Sequence, residues 1–115
     1  MPAPSPLAIL TGSVTRLIRE LASYKEEEAA EQAKYESMQS SPATDEYRFR
    51  QQGQVLEETK RMVPNVRTNL QNAMKELKDK LASNLTNGEP GDAPDDPLRQ
   101  AREALAGAEK AVQEA

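Results

Sequence analysis

Carboxylates are the first group of side chains in this sequence that could do chemistry. Glu26–Glu28 form a run of three, and Glu31 follows one helical turn later. Such a cluster could bind a metal ion or a basic partner, but a charge run is more usually a solvated helix face. The chain has no histidine and no cysteine, so it lacks the usual general base, the commonest metal ligand and any thiolate ligand. We therefore predict no catalytic residue, no metal site and no cofactor site.

Basic side chains form the second group, because a basic stretch can bind nucleic acid. Those between residues 48 and 80 are Arg48, Arg50, Lys60, Arg61, Arg67, Lys75, Lys78 and Lys80. Acidic residues are interleaved with them, only Tyr47 and Phe49 could stack on bases, and the whole chain has a net charge of −4. This pattern does not resemble a nucleic-acid surface. We predict no nucleic-acid binding.

Long apolar runs are absent from the sequence. The sequence contains no run of ~18 apolar residues, the length needed to span a membrane. The start, Met1–Leu7, has neither the basic region nor the apolar core of a secretory signal. We therefore expect a cytosolic protein without membrane contact, and a length of 115 residues predicts a single domain.

Apolar residues at heptad spacing identify the element that would position any binding site. One row, recurring every seven residues, consists of Leu56, Val63, Leu70 and Leu77. The row beside it consists of Phe49, Thr59, Val66 and Ala73. Two such rows make one buried stripe on an α-helix. They predict a second helix over about residues 43–85, with Ser41 or Thr44 as its N-cap.

Pro64 lies in the middle of this stripe. It has no N–H to donate to the carbonyl of Lys60, and its ring crowds that carbonyl. The helix could therefore end near Val63 or continue with a kink. Because Val63 and Leu70 stay in phase with Leu56 across the proline, we predict one continuous helix of about forty residues, bent at Pro64. The bend is assigned a structural role, either to wrap the helix around its neighbours or to shape a binding face.

Two further helices flank the kinked one. Ser5 and Pro6 are a plausible N-cap and first residue for a helix over about 6–39. Its rows are Leu7, Val14, Leu21, Glu28 and Tyr35, and Leu10, Leu17, Tyr24, Glu31 and Met38. A shorter helix over about 97–114 has Leu98, Leu105 and Val112 alternating with Ala101, Ala108 and Ala115. The proline- and glycine-containing segment 86–96 is predicted to be a flexible acidic linker.

These elements predict an all-α fold, an antiparallel three-helix bundle with two long helices and a shorter third. After the turn back, the third helix should cover the C-terminal half of helix 2 and the N-terminal half of helix 1. The other end of the hairpin is then covered by two helices only. Glu28 and Glu31 would be tolerated on the seam there because they can reach water. This end could also bury itself against a second copy, so both a monomer and a weak homodimer remain open.

Several motifs in the two long helices resemble those of a known family. In helix 1 they are Thr11-Gly12-x-Val14-x-Arg16-Leu17 and Tyr24-x-Glu26. In helix 2 they are Gln54-Val55-Leu56-x-Glu58-Thr59-x-Arg61-Met62-Val63-Pro64 and the spaced Leu70, Ala73 and Leu77. Over roughly residues 7–82 the sequence resembles tubulin-specific chaperone A, also called tubulin-binding cofactor A. A Met-Val-Pro inside a heptad helix is unusual and gives the resemblance its specificity.

The resemblance implies a cytosolic, cytoskeleton-associated three-helix bundle that is not an enzyme. It implies a chaperone that binds β-tubulin released from the chaperonin, holds it, and passes it on for αβ-heterodimer assembly. Other tubulin-folding cofactors are further partners that it allows. We expect the solvent faces of helices 1 and 2 to bind this partner, because they are rigid and already ordered. The candidate residues are Glu27, Glu28, Glu31, Glu57, Glu58, Lys60, Arg61, Asn65 and Arg67.

A different class of function also fits a three-helix bundle. Such bundles serve as regulatory domains of membrane-fusion proteins and as spectrin-like structural units. A fusion protein would normally carry a further long heptad helix or a membrane anchor, and a spectrin-like protein would show repeats. This sequence shows neither feature, so the chaperone interpretation is favoured.

Overall fold

Three α-helices make up the regular secondary structure of a computed structural model, which describes residues 5–85 and 96–114. They are α1 (Pro6–Gln39), α2 (Glu46–Leu85) and α3 (Pro97–Glu114). The predicted all-α fold of two long helices and one shorter helix is confirmed. Most of the predicted linker, residues 86–95, lies outside the described residues, as does Ala115.

The first residues of α1 and α3 follow from capping chemistry. The Ser5 hydroxyl accepts a hydrogen bond from the backbone N–H of Ala8 at 3.1 Å, and Pro6 occupies the first turn. At the start of α3, the Asp96 carboxylate accepts from the backbone N–H of Leu98 at 2.8 Å, again with a proline following the cap. Each cap satisfies one of the N–H groups that a helix leaves without an internal partner.

The start of α2 differs from the sequence prediction. Neither Ser41 nor Thr44 caps the helix. The Asp45 carboxylate accepts from the backbone N–H of Tyr47 at 2.9 Å, and the Asp45 carbonyl accepts the first helical bond, from Phe49, at 3.0 Å. The helix therefore begins at Glu46, because a carboxylate one residue before it competes successfully with the two hydroxyls further back.

We expect Asp45→Ala to lower the free energy of unfolding by about 1 kcal/mol, because the first turn of α2 loses its cap. Urea denaturation followed by circular dichroism measures this loss. Thr44→Ala is the matched control and should change stability by less than about 0.5 kcal/mol. Equal losses in the two variants would contradict the assignment of Asp45 as the cap.

The helices alternate in direction. Close to the α1–α2 turn, the rings of Tyr35 and Phe49 stack with centroids 4.8 Å apart. α3 then runs parallel to α1 and antiparallel to α2. Lys25 Nζ of α1 donates to the carbonyl of Glu114 at 2.9 Å, and Lys78 of α2 pairs with Glu109 at 3.3 Å. The result is an up-down-up bundle measuring 66 × 24 × 23 Å.

The core lies where all three helices overlap. Its buried side chains are Leu7, Val14, Leu17 and Leu21 of α1, Val66, Leu70, Met74, Leu77 and Leu81 of α2, and Ala101, Leu105 and Ala108 of α3. This set covers the N-terminal half of α1 and the C-terminal half of α2, the coverage that the helix lengths predicted. Ala101 and Ala108 are fully enclosed, so α3 approaches closely because its seam side chains are small.

The buried stripe of α2 departs from the predicted strict heptad rows. Met74 and Leu81 are buried although neither belongs to those rows, whereas Ala73 lies only at the edge of the core. An α-helix has 3.6 residues per turn, so a row with a period of seven rotates by ~20° per heptad relative to a straight helix. By the third heptad the row that began at Thr59 has turned toward the edge, and Met74 has turned inward.

Pro64 lies inside an uninterrupted α2, so the prediction of one continuous helix is confirmed. The proline is exposed, as is Lys60, whose carbonyl loses its usual hydrogen-bond donor. On the solvent side of a helix, water can satisfy such a carbonyl. The lost hydrogen bond of the Lys60 carbonyl thus lies on the exposed side of α2, where it costs the least folding free energy. The bend at Pro64 stays a prediction.

Candidate partner-binding surface

The end of the hairpin beyond α3 is held together differently from the three-helix core. Its centre contains Gln52, Leu56 and Thr59 of α2, all buried. The Tyr35–Phe49 ring pair closes it toward the turn, with both residues half-buried. Polar and aromatic side chains thus surround Leu56 here, in place of the continuous aliphatic packing of the three-helix core. Hydrogen bonds can therefore contribute to the alignment of α1 and α2.

Gln52 provides those hydrogen bonds. Its side-chain amide donates to the backbone carbonyl of Glu31 at 3.1 Å and also to the Glu31 carboxylate. A buried amide without partners would be costly, so these bonds favour one alignment of the helices. Sequence reasoning missed Gln52 because it is polar. Its spacing of four residues before Leu56 was the signal that it shares the buried face.

A groove runs along one side of this two-helix end, with a volume of about 890 Å³. We call it the hairpin groove. It is lined by Gln32, Tyr35, Arg50, Gly53, Gln54, Leu56, Glu57, Glu58, Lys60 and Arg61. A second groove on the hairpin is lined by Lys34, Met38, Arg48, Gln51, Gln52, Gln54, Val55 and Glu58. Both grooves are open, and polar and charged side chains dominate their rims.

Four of the predicted candidate residues meet in the hairpin groove. They are Glu57, Glu58, Lys60 and Arg61, and all four are exposed. Asn65 is also exposed but does not line the groove. Arg67 is half-buried, and its Nε is enclosed without a hydrogen-bond partner. The Arg67 side chain therefore takes part in packing, and it is a weaker candidate for partner contact than the other five.

The predicted acidic residues of α1 do not line the hairpin groove. Glu27 is exposed outside it, and Glu28 is half-buried on the seam. The Glu31 carboxylate accepts a hydrogen bond from Gln52, which occupies part of its capacity to bind a partner. Gln32 and Tyr35 contribute the α1 wall instead. Sequence reasoning treated Tyr35 as a core residue and did not consider Gln32.

Charges around the groove are unevenly paired. Arg50 forms an ion pair with Glu46 at 3.0 Å, one helical turn away. Lys60 and Arg61, by contrast, form no ion pair within residues 5–85 and 96–114. Exposed charges without an intramolecular partner are available to a binding partner at little cost in stability. The groove therefore presents two free cations beside the carboxylates of Glu57 and Glu58.

Two kinds of site are not found in the described part of the chain. Among those residues there is no group of three or more acidic, histidine or cysteine side chains that could hold a metal ion. No helix there is long and apolar enough to cross a membrane.

The fold defines a class of protein: a slender three-helix bundle with open grooves along its two long helices. A sequence model described as tubulin binding cofactor A matches residues 2–105, and the chain belongs to this family. The resemblance inferred from the helix motifs is confirmed.

Individual relatives agree with this assignment. Tubulin-folding cofactor A of Arabidopsis thaliana is 34% identical over 104 residues, which cover 90% of this chain and 88% of the relative. Tubulin-specific chaperone A of Rattus norvegicus is 29% identical over 82 residues, covering 71% and 75% of the two chains. The crystal structure of the Arabidopsis thaliana tubulin folding cofactor A superposes with a TM-score of 0.74 at 33% identity, covering 90% of this chain and 92% of that one.

Proposed function

We propose that this protein is a tubulin-folding chaperone of the cytosol. It binds and holds β-tubulin after release from the chaperonin and hands it on for assembly of the αβ heterodimer. Other tubulin-folding cofactors are the partners that would receive it. The observation that carries the proposal is the family match over residues 2–105. The relatives named for tubulin folding also cover 90% of this chain, so the likeness extends over most of the bundle.

Binding in this proposal is non-catalytic and uses the solvent faces of α1 and α2. The helices are already ordered, so little conformational entropy is lost when a partner docks on them. The two-helix end leaves the charged side chains of the hairpin groove accessible, because α3 does not cover them. Lys60 and Arg61 supply unpaired positive charge, and Glu57 and Glu58 supply negative charge. Mixed charge of this kind sets specificity and encounter rate, which suits reversible capture.

Reversing the unpaired cations should weaken β-tubulin binding. We expect Lys60→Glu/Arg61→Glu to raise the dissociation constant about tenfold or more, since ~1.4 kcal/mol is a factor of ten. The loss should be larger at low salt, because exposed charges are screened as ionic strength rises. Surface-immobilised variants titrated with β-tubulin measure this effect. Arg67 is left unchanged, because its half-buried side chain would confound folding with binding.

Matched controls separate a local effect from a change in net charge. Lys75→Glu/Lys110→Glu alters the net charge by the same amount on the three-helix end and should retain binding within about threefold. A variant shortened within residues 87–93 should also retain it. Lost binding in the shortened variant, together with unchanged binding in the Lys60→Glu/Arg61→Glu variant, would contradict the proposed surface. No binding of β-tubulin by the unmodified protein would contradict the function itself.

A further inference from the structure

The hairpin groove continues the surface on which α3 is seated. On α1, α3 packs against Ile18, which is 3.6 Å from a Cβ built at Gly107, and Lys25, whose Nζ donates to the Glu114 carbonyl. These residues are seven apart, so they share one helical row. The next member of that row is Gln32, which lines the hairpin groove. The α1 flank that meets α3 therefore also forms one wall of the groove.

The same continuity holds on α2. Met74 and Lys78 lie beside α3, and Lys78 pairs with Glu109. Eighteen residues make five full turns of an α-helix, so Leu56 lies on the same face as Met74, and Lys60 on the same face as Lys78. Both Leu56 and Lys60 line the groove. The groove is thus the stretch of the α3 seat that α3 is too short to fill.

From this continuity we infer that the hairpin groove binds an α-helix of the partner, laid end to end with α3. This inference rests on the proposed function, because the partner is taken to be β-tubulin. α3 leaves room for such a helix, because α2 has 40 residues and α3 has 18, about 60 and 27 Å at ~1.5 Å per residue. The groove itself extends along α2 from Arg50 to Arg61, a stretch of ~17 Å that accommodates a helix of about three turns.

α3 itself indicates the chemistry of the occupant. It turns Ala101, Leu105 and Ala108 toward the hairpin and presents Glu109 to a lysine at the rim. The groove has a more polar lining, in which Tyr35, Gly53 and Leu56 form the apolar part. Lys60 and Arg61 stand unpaired at its rim, next to the carboxylates of Glu57 and Glu58. We therefore assign the occupant a narrow face of small apolar residues, with acidic side chains where it meets Lys60 and Arg61. The shared seat provides shape complementarity, and the free cations provide charge complementarity.

Gly53 gives the groove its floor. A Cβ built at Gly53 meets only the edge of the Tyr35 ring, at 3.5 Å, which is ordinary van der Waals contact. A larger side chain can therefore be introduced without a backbone clash, and it would stand where the partner helix is seated. Gly12 is the matched control, because it is an exposed helical glycine whose Cβ meets nothing within 4 Å. Both substitutions remove one glycine from a helix, so their effects on helix propensity are the same.

The test compares β-tubulin binding by Gly53→Trp, Gly53→Gln and Gly12→Trp, with melting curves confirming that each is folded. We expect both Gly53 variants to weaken binding at least tenfold and Gly12→Trp to stay within twofold of the unmodified protein. Gly53→Gln keeps the test decisive if the bulkier Gly53→Trp variant does not fold. Unchanged binding in the folded Gly53 variants, with the unmodified protein still binding, would overturn the groove assignment and leave the proposed function standing. No binding by the unmodified protein would overturn both.

A cross-linking experiment tests the helical occupant directly. The chain has no native cysteine, so Gly53→Cys and Gly12→Cys each provide a single attachment point for a short photo-reactive maleimide. The expected products from position 53 map to one α-helix of β-tubulin, with attachment sites three or four residues apart. Position 12 should give few products. Products spread over loops of β-tubulin, or cross-links to a second copy of this chain, would contradict the inference.

Discussion

Leu70→Ala is expected to lower the free energy of unfolding by about 2–5 kcal/mol. Leu70 is completely buried at the centre of the three-helix core. Removing its side chain beyond Cβ loses the transfer free energy of the buried groups and leaves a cavity that the neighbouring helices fill only in part. Since a domain of this size is stable by only about 5–15 kcal/mol, the loss should be visible as a large shift in the denaturation midpoint. Chemical denaturation followed by circular dichroism gives the value.

Ile9→Ala is the control for this variant. Ile9 is 55% exposed and belongs to the same helical bundle, so its truncation should change stability by less than about 0.5 kcal/mol. A Leu70→Ala protein as stable as the Ile9→Ala protein would show that the core does not lie where the three helices overlap. An unmodified protein that unfolds without a cooperative transition would count against the bundle altogether.

Replacing Pro64 by alanine should raise the free energy of unfolding by about 1–3 kcal/mol. Proline inside a helix costs ~3 kcal/mol or more, through the lost hydrogen bond and the clash with the preceding turn. Part of this gain is offset because alanine makes the unfolded chain more flexible. Pro64 is exposed, so the substitution removes no core packing. The measurement is the denaturation midpoint, together with hydrogen exchange of the amides of residues 65–69.

Asn65→Ala provides the scale for a change of helix propensity alone, about 0.6 kcal/mol at an exposed position. If Pro64→Ala stabilised the protein by no more than this control, the proline would not be straining α2. Amides of residues 65–69 that exchange as fast as those of an unstructured peptide in the unmodified protein would contradict the continuous helix.

Much of the fold could be predicted from local signals. Ser5-Pro6 and Asp96-Pro97 identify two helix starts, because a capping side chain followed by proline satisfies the first turn in a way that few other pairs can. The continuity of α2 across Pro64 could be predicted because Leu56 and Leu70, on either side of the proline, belong to one apolar row at heptad spacing. A turn between two separate helices would not be expected to preserve this spacing.

The remaining features depend on contacts between helices. The start of α2 was predicted too early because Thr44 and Asp45 are both good caps, and the geometry of the turn selects between them. Burial of Gln52 is tolerated because the Glu31 carbonyl of α1 accepts a hydrogen bond from its side-chain amide. The hairpin groove could not be predicted, because its position depends on which flank of the hairpin α3 occupies. A heptad pattern specifies the width of a buried stripe, and it leaves open which side the third helix takes.

The bond from Lys25 Nζ to the carbonyl of Glu114 joins α1 to the last residue of α3. A carbonyl at the C-terminal end of a helix has no partner within the helix, and the helix dipole makes it favourable for a cation. The buried Ala101, Leu105 and Ala108 set the axial position of α3, and this bond and the exposed Lys78–Glu109 pair add a small contribution at its far end. Insertions or deletions between α2 and α3 therefore need not shift the helix along its seat, since loop length affects closure entropy only weakly. The connection is free to diverge in length during evolution while the bundle keeps its shape.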